Sequence, residues 1–268
     1  MSQLWHEHDG LRLAVSETGA GQPMVFQHGL CGDGKQPAEV FPYDAGWRCL
    51  TLECRGHGQS EAGPHEAFSL VVFAADVVSL IEKLRLGPVV LGGISMGAAI
   101  STRIAVTRPE LVGALVLARP AWLDGARPPN MAPNALVGDL LRRYPPEEAR
   151  ARFEASDIAR RLAREGPDNL VSLRSFFSRQ PLDVTAELLC RISADGPGVT
   201  RREMEALRVP TLVMGNSLDF AHPLEMAREL AKTIPGARMV DITSKAVDRE
   251  LYGKDFRATL AAFLRELG

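Results

Sequence analysis

The chain has 268 residues, 46% of them hydrophobic and 24% charged, with a formal net charge of −2 at pH 7. A balance this close to neutral supplies no pull toward nucleic acid or an anionic membrane, and no apolar run approaches the roughly 18 residues of a membrane-spanning helix. The length suits one large α/β domain or two small ones.

In chain order, LWHEH and LRLAVSE are alternating runs split by Asp9-Gly10, a hairpin signal. The alternation puts His6 and His8 on one strand face, expected to be solvated. PMVFQ and WRCLTLE (47–53) read as short strands, and residues 69–84 as a helix with Leu70, Phe73, Val77, Leu80, Ile81 and Leu84 at helical spacing. PVVLGG reads as a buried strand, MGAAISTRIAVTR as a helix rich in small residues, and GALVLAR (113–119) as the next strand. From Pro120 to about Thr200 there is no convincing strand. A proline-rich stretch, ARPPNMAPN, leads into amphipathic runs that include PEEARARFEASDIARRLARE and PDNLVSLRSFF. Strand signals resume at PTLVMG (210–215), a helix is expected to open with Pro223 as its first residue, ARMVDI (237–242) is the last strand, and a closing helix carries Phe256, Leu260, Phe263, Leu264 and Leu267 on one face.

Alternating strands and helices predict an α/β fold with a mostly parallel sheet covered on both faces. The all-helical block reads as a cap over the strand ends. Residues 1–119 and 201–268 then form the core and 120–200 the cap, whose acidic residues and arginines balance and which holds no lysine. Cys31, Cys49, Cys54 and Cys190 match no zinc spacing, and no P-loop or dinucleotide fingerprint is present, so neither metal nor cofactor is expected. The polar opening MSQLWHEHDG does not read as a secretory signal. The expectation is a cytoplasmic protein acting on a small molecule, without nucleic-acid or membrane partners, with homo-oligomer formation left open.

Gly93-Ile94-Ser95-Met96-Gly97 fits G-x-S-x-G between a predicted strand and a predicted helix, the context that a serine nucleophile on a strained turn requires. With VFQHGL, LECRGHGQS and TLVMGNSLDFAHP in the same order, the chain resembles the α/β-hydrolase superfamily, in its branch of small capped esterases, enol-lactonases and carbon–carbon bond hydrolases. The resemblance implies Ser95 as nucleophile, Asp219 as the acid of a catalytic triad, and the backbone N–H groups of Leu30 and Met96 as an oxyanion hole. Cys31, after the HG pair, and Trp122, just past a strand end, are the candidates to wall the substrate pocket, with packing under the cap as the competing role for Trp122.

The base departs from the family pattern. The family's histidine follows the last strand, where this chain reads MVDITSKAVDREL. Aligned through ARMVDI, the position falls on Val247, with Lys245, Ala246 or Asp248 one or two residues away, and no histidine occurs after His222. A serine hydroxyl without a base is a poor nucleophile, and losing a triad histidine can cost about a million-fold in turnover. His222, three residues after Asp219, is the leading substitute; Lys245, His28 and Asp248 are the others. Three readings follow: a serine hydrolase of a small ester, lactone or related carbonyl compound with a relocated base, a catalytically silent binding protein, and a lyase or isomerase that uses the same pocket.

Overall fold

The computed structural model describes residues 2–268. Eight strands form one sheet: β1 (Ser2–His8), β2 (Leu11–Gly19), β3 (Gln22–Gln27), β4 (Trp47–Leu52), β5 (Val89–Ile94), β6 (Val112–Ala118), β7 (Thr211–Gly215) and β8 (Arg238–Asp241). Their spatial order is β1-β2-β4-β3-β5-β6-β7-β8. The pairs β1–β2 and β2–β4 are antiparallel and every other pair is parallel. The helices are α1 (Lys35–Val40), α2 (Leu70–Lys83), α3 (Met96–Thr107), α4 (Ala132–Arg143), α5 (Pro146–Glu154), α6 (Asp157–Glu165), α7 (Pro167–Phe176), α8 (Leu182–Ala194), α9 (Arg201–Glu205), α10 (Leu224–Thr233) and α11 (Arg249–Leu267).

Both faces of the central strands are buried, as their near-continuous apolar sequences require. Side chains alternate along a strand. Leu91, Leu115 and Leu117 therefore meet Phe73, Val77 and Leu80 of α2 and Ile100 and Ile104 of α3 on one side. Val90, Ala114 and Val116 meet Phe256, Leu260 and Leu264 of α11 on the other. Helices α4–α8 share a separate core built on Val137, Phe153, Leu162, Leu173 and Leu189. Leu30 and Cys31, past β3, and Phe220, past β7, pack against it, so this helical block sits over the ends of the parallel strands.

Two readings from sequence are corrected here. Pro223 caps α10 from outside rather than opening it, and the helix begins at Leu224. The face of β1 that carries His6 and His8 is not solvated, because α2 lies across it. His6 is 1% exposed, with Nε2 at 3.1 Å from Ser79 Oγ, and His8 Nδ1 is 2.7 Å from Asp76 Oδ1. Asp76 is fully buried, and the Arg55 guanidinium grips both its oxygens at 2.8 and 2.7 Å while reaching Asp9 in the β1–β2 turn at 2.8 Å. The arginine of the RGHG loop thus ties that loop to α2 and to the first hairpin.

Removing one partner of a buried pair leaves the other charge uncompensated. Asp76→Asn is therefore expected to cost about 3–5 kcal/mol, measured as a lower urea midpoint with unchanged denaturant slope.

Candidate active site

Ser95 stands between β5 and α3 with φ 57° and ψ −110°, in the left-handed half of backbone space that L residues rarely occupy. The turn is held there by its neighbours. Ser95 N–H donates to Ala118 O at 2.9 Å, which pins it to the end of β6. A Cβ at Gly93 would lie 2.5 Å from the Gly97 carbonyl carbon, and one at Gly97 would lie 2.4 Å from Gln27 O. The two glycines of G-x-S-x-G are thus imposed by close backbone approach, and the hydroxyl is lifted into a cavity of about 200 Å³.

The cavity is walled by Leu30 and Cys31 from the loop after β3, by Arg119 after β6, by Asp168 and Phe176 of α7, by His222, and by Lys245. Trp122 is not among its walls, which corrects the expectation placed on it. Its indole is in the core, 2% exposed, and its Nε1–H donates to Asp195 O at 2.9 Å. Val247, the aligned position of the family's histidine, is 69% exposed and points away from the site, whereas Lys245 two residues earlier lines it.

The loop after β3 is rigidly supported. Gly29 N–H donates to Gln36 Oε1 at 2.6 Å, and Gly32 N–H to Gly29 O at 2.9 Å. Cys54 N–H donates to His28 Nε2 at 3.0 Å, so the His28 proton sits on Nδ1, which donates to Gly29 O at 2.8 Å. Burial pushes the His28 pKa down and keeps the ring neutral. With its one lone pair occupied, His28 has nothing left with which to accept a proton. It fixes the loop rather than serving as a base, and the His57 ring packs against it tilted by 43°, with centroids 4.8 Å apart. Leu30 N–H donates to no protein acceptor among the described residues. Met96 is the first residue of α3, where helix N–H groups lack intrahelical partners.

Asp219 gathers the rest of the site. Arg119 donates to its Oδ2 through Nε at 2.7 Å, with Nη2 in ion-pair contact with the same oxygen at 2.7 Å. Its Oδ1 accepts from Asn169 Nδ2 at 2.9 Å, from His222 N–H at 3.2 Å and from His222 Nδ1 at 2.8 Å. Burial alone would favour the neutral acid. The Arg119 charge, followed by His222 and Asn169, outweighs burial and holds the carboxyl well below its ordinary range. Asn169 Oδ1 in turn accepts from Phe220 N–H at 2.7 Å and Ala221 N–H at 3.2 Å, so α7 braces the acid loop. Asn130 adds a second brace, donating to Ala121 O at 3.0 Å and to Ala221 O at 2.7 Å.

Because an ionised carboxylate only accepts, His222 Nδ1 carries the proton in this pair, and in the neutral ring Nε2 is the acceptor nitrogen. Among the described residues neither His222 Nε2 nor Ser95 Oγ has a hydrogen-bond partner, and both residues face the same cavity. Catalytic hydrogen bonds are often loose without substrate.

A family model for the α/β hydrolase fold matches residues 22–245. The chain belongs to the α/β-hydrolase fold family. A Mycobacterium tuberculosis H37Rv protein described as the non-heme bromoperoxidase BpoC is 32% identical over 240 residues, covering 87% of this chain and 89% of its own. The solved enol-lactonase from Burkholderia xenovorans LB400 matches with TM-score 0.74 and 24% identity, over 98% of this chain and 100% of that one. The esterase EaEST from Exiguobacterium antarcticum matches with TM-score 0.74 and 23% identity, over 96% and 97%. At these identities the two structures speak for the fold. The match to the α/β hydrolase fold model and the hydrolase names among the curated relatives support a hydrolase.

Asp219→Asn keeps the shape of the side chain but strips Arg119, itself 6% exposed, of its counter-charge. It is expected to cost about 3–5 kcal/mol at pH 7. The native pKa of Asp219 lies below the unfolded value, so its stabilisation is complete above the unfolded pKa of about 3.9 and is lost as pH falls through the native value. Urea unfolding should therefore show the full gap between wild type and Asp219→Asn from about pH 5 upward, with the two converging in strong acid.

Proposed function

We propose that the chain is a serine hydrolase of a small ester, lactone or related carbonyl compound, with Ser95 as nucleophile, His222 as base and Asp219 as the residue that orients His222. One observation carries this reading. The 2.8 Å contact between His222 Nδ1 and Asp219 Oδ1 leaves Nε2 bare in the wall that Ser95 shares. That is the arrangement a relocated base needs: an acceptor nitrogen fixed in one tautomer beside a nucleophile at an elbow.

Ser95 Oγ attacks the substrate carbonyl carbon as His222 Nε2 takes the hydroxyl proton. The carbonyl oxygen becomes an oxyanion and is met by the N–H groups of Leu30 and Met96. Collapse of the tetrahedral intermediate expels the alkoxide, which leaves with the proton held by His222. Water then repeats the attack on the acyl-enzyme, and His222 again takes and returns one proton. Asp219 supports the imidazolium less than an unshared carboxylate would, because Arg119 already draws on its charge; its main contribution is orientation.

Fluorophosphonate labelling read by intact mass tests the assignment. Wild type should gain a single adduct that Ser95→Ala lacks. His222→Ala should label roughly a thousand-fold more slowly or worse, with its melting profile checked for folding. No adduct on folded wild type overturns the reading and leaves ligand binding or lyase chemistry. Labelling that survives in folded His222→Ala moves the base elsewhere, with Lys245 the next residue to replace.

A further inference from the structure

Most charges around the cavity are spoken for. Arg119 is paired with Asp219 and lies 3.8 Å from Asp168. Lys245 is the exception. It reaches the cavity from the loop after β8 and is half-buried. Among the described residues its ammonium makes no hydrogen bond and no ion pair. Its Nζ lies over the face of Tyr252, 5.8 Å from the ring centroid, and the Arg119 guanidinium lies 5.7 Å from the same centroid. Two cations therefore crowd one aromatic ring, and only one of them has a counter-ion. Burial pushes the Lys245 pKa down, Asp168 opposes this, and Arg119 adds to it.

A half-buried ammonium without an acceptor loses water contacts and gains little in return. A ligand anion would supply the missing acceptors. The carboxylate of Asp168 in the same wall limits how much negative charge the site tolerates, which favours a singly charged group over a phosphate dianion. Leu30, Ile94, Met131, Leu173 and Phe176 supply apolar wall to the same cavity.

We propose that Lys245 is the counter-ion for a substrate carboxylate, so that the substrate is a carbonyl compound with a short apolar body and a free carboxylate distinct from the carbonyl attacked by Ser95. The substrate class rests on the serine-hydrolase reading; the carboxylate site itself does not.

Calorimetric titration of glutarate and of neutral glutaramide tests it, using wild type, Lys245→Met and Lys245→Arg with melting profiles checked. Wild type should bind glutarate at least about tenfold more tightly than glutaramide, a tenfold change in Kd being about 1.4 kcal/mol. Lys245→Met should abolish that preference and Lys245→Arg should keep most of it. Equal affinity for the two ligands in wild type, failure of glutarate to bind wild type, or an undiminished preference in Lys245→Met each overturns the proposal. Fluorophosphonate labelling of the same wild-type preparation separates the two readings. A labelled protein without glutarate preference loses only the carboxylate site. A glutarate preference without labelling keeps the site and loses the serine hydrolase.

Discussion

A single buried carboxylate organises this end of the sheet. Asp219 receives four hydrogen bonds, from three side chains and one backbone N–H, and they come from three separate stretches of chain: the end of β6, helix α7 and the loop after β7. Desolvating an unpaired carboxylate would cost several kcal/mol. The donors must therefore arrive together, and the loops that carry them are fixed by the same requirement. His222 inherits its tautomer and the direction of its ring from this cluster.

The cluster also limits what the site can do. A carboxylate shared with a permanent cation polarises a neighbouring imidazole less than a free one. Arg119 stabilises the architecture and, by the same Coulomb interaction, draws on the charge available to His222. Six histidines are present, but most are structural. His6 and His8 of β1 bond to Ser79 and Asp76 of α2, and His28 and His57 secure the loops beside β3 and β4. Only His222 combines an orienting carboxylate with a free ring nitrogen on the cavity.

Much of this was legible in the sequence because it is local. The Asp9-Gly10 turn, the strand and helix runs, and the elbow glycines each act within a few residues, and Asp219 and His222 lie three apart in chain. What stayed hidden is long-range. Arg119 and Asn169 are 100 and 50 residues from Asp219, and nothing in their own neighbourhoods marks them as its partners. The alternation of β1 gave two faces but could not tell which one α2 would cover, so His6 and His8 were placed in solvent. Helix α4 begins at Ala132, inside the proline-rich stretch, where the prolines mask its start. Trp122 sits at the right point in the chain to reach the cavity, yet the acceptor that claims its indole, Asp195, is 73 residues away. In the loop after β8, neighbouring positions fit the family pattern about equally well. Only the turn of the chain selects Lys245 for the cavity over Val247.

Asn169 belongs to the roof of the cavity and also to the support of its base. One side chain of α7 donates to Asp219 and accepts from the backbone of Phe220 and Ala221. Any motion that lifts α7 off the sheet therefore uncouples the acid loop as it opens the roof. In the proposed mechanism the roof and the base are therefore coupled: with α7 raised, His222 loses the acid loop that holds it, and water reaching Ser95 from that side meets a serine without its base. Cys31, Gly32, Ser175 and Phe176 border both the cavity and a second surface depression, and a small molecule entering there leaves the Asn169 contacts in place.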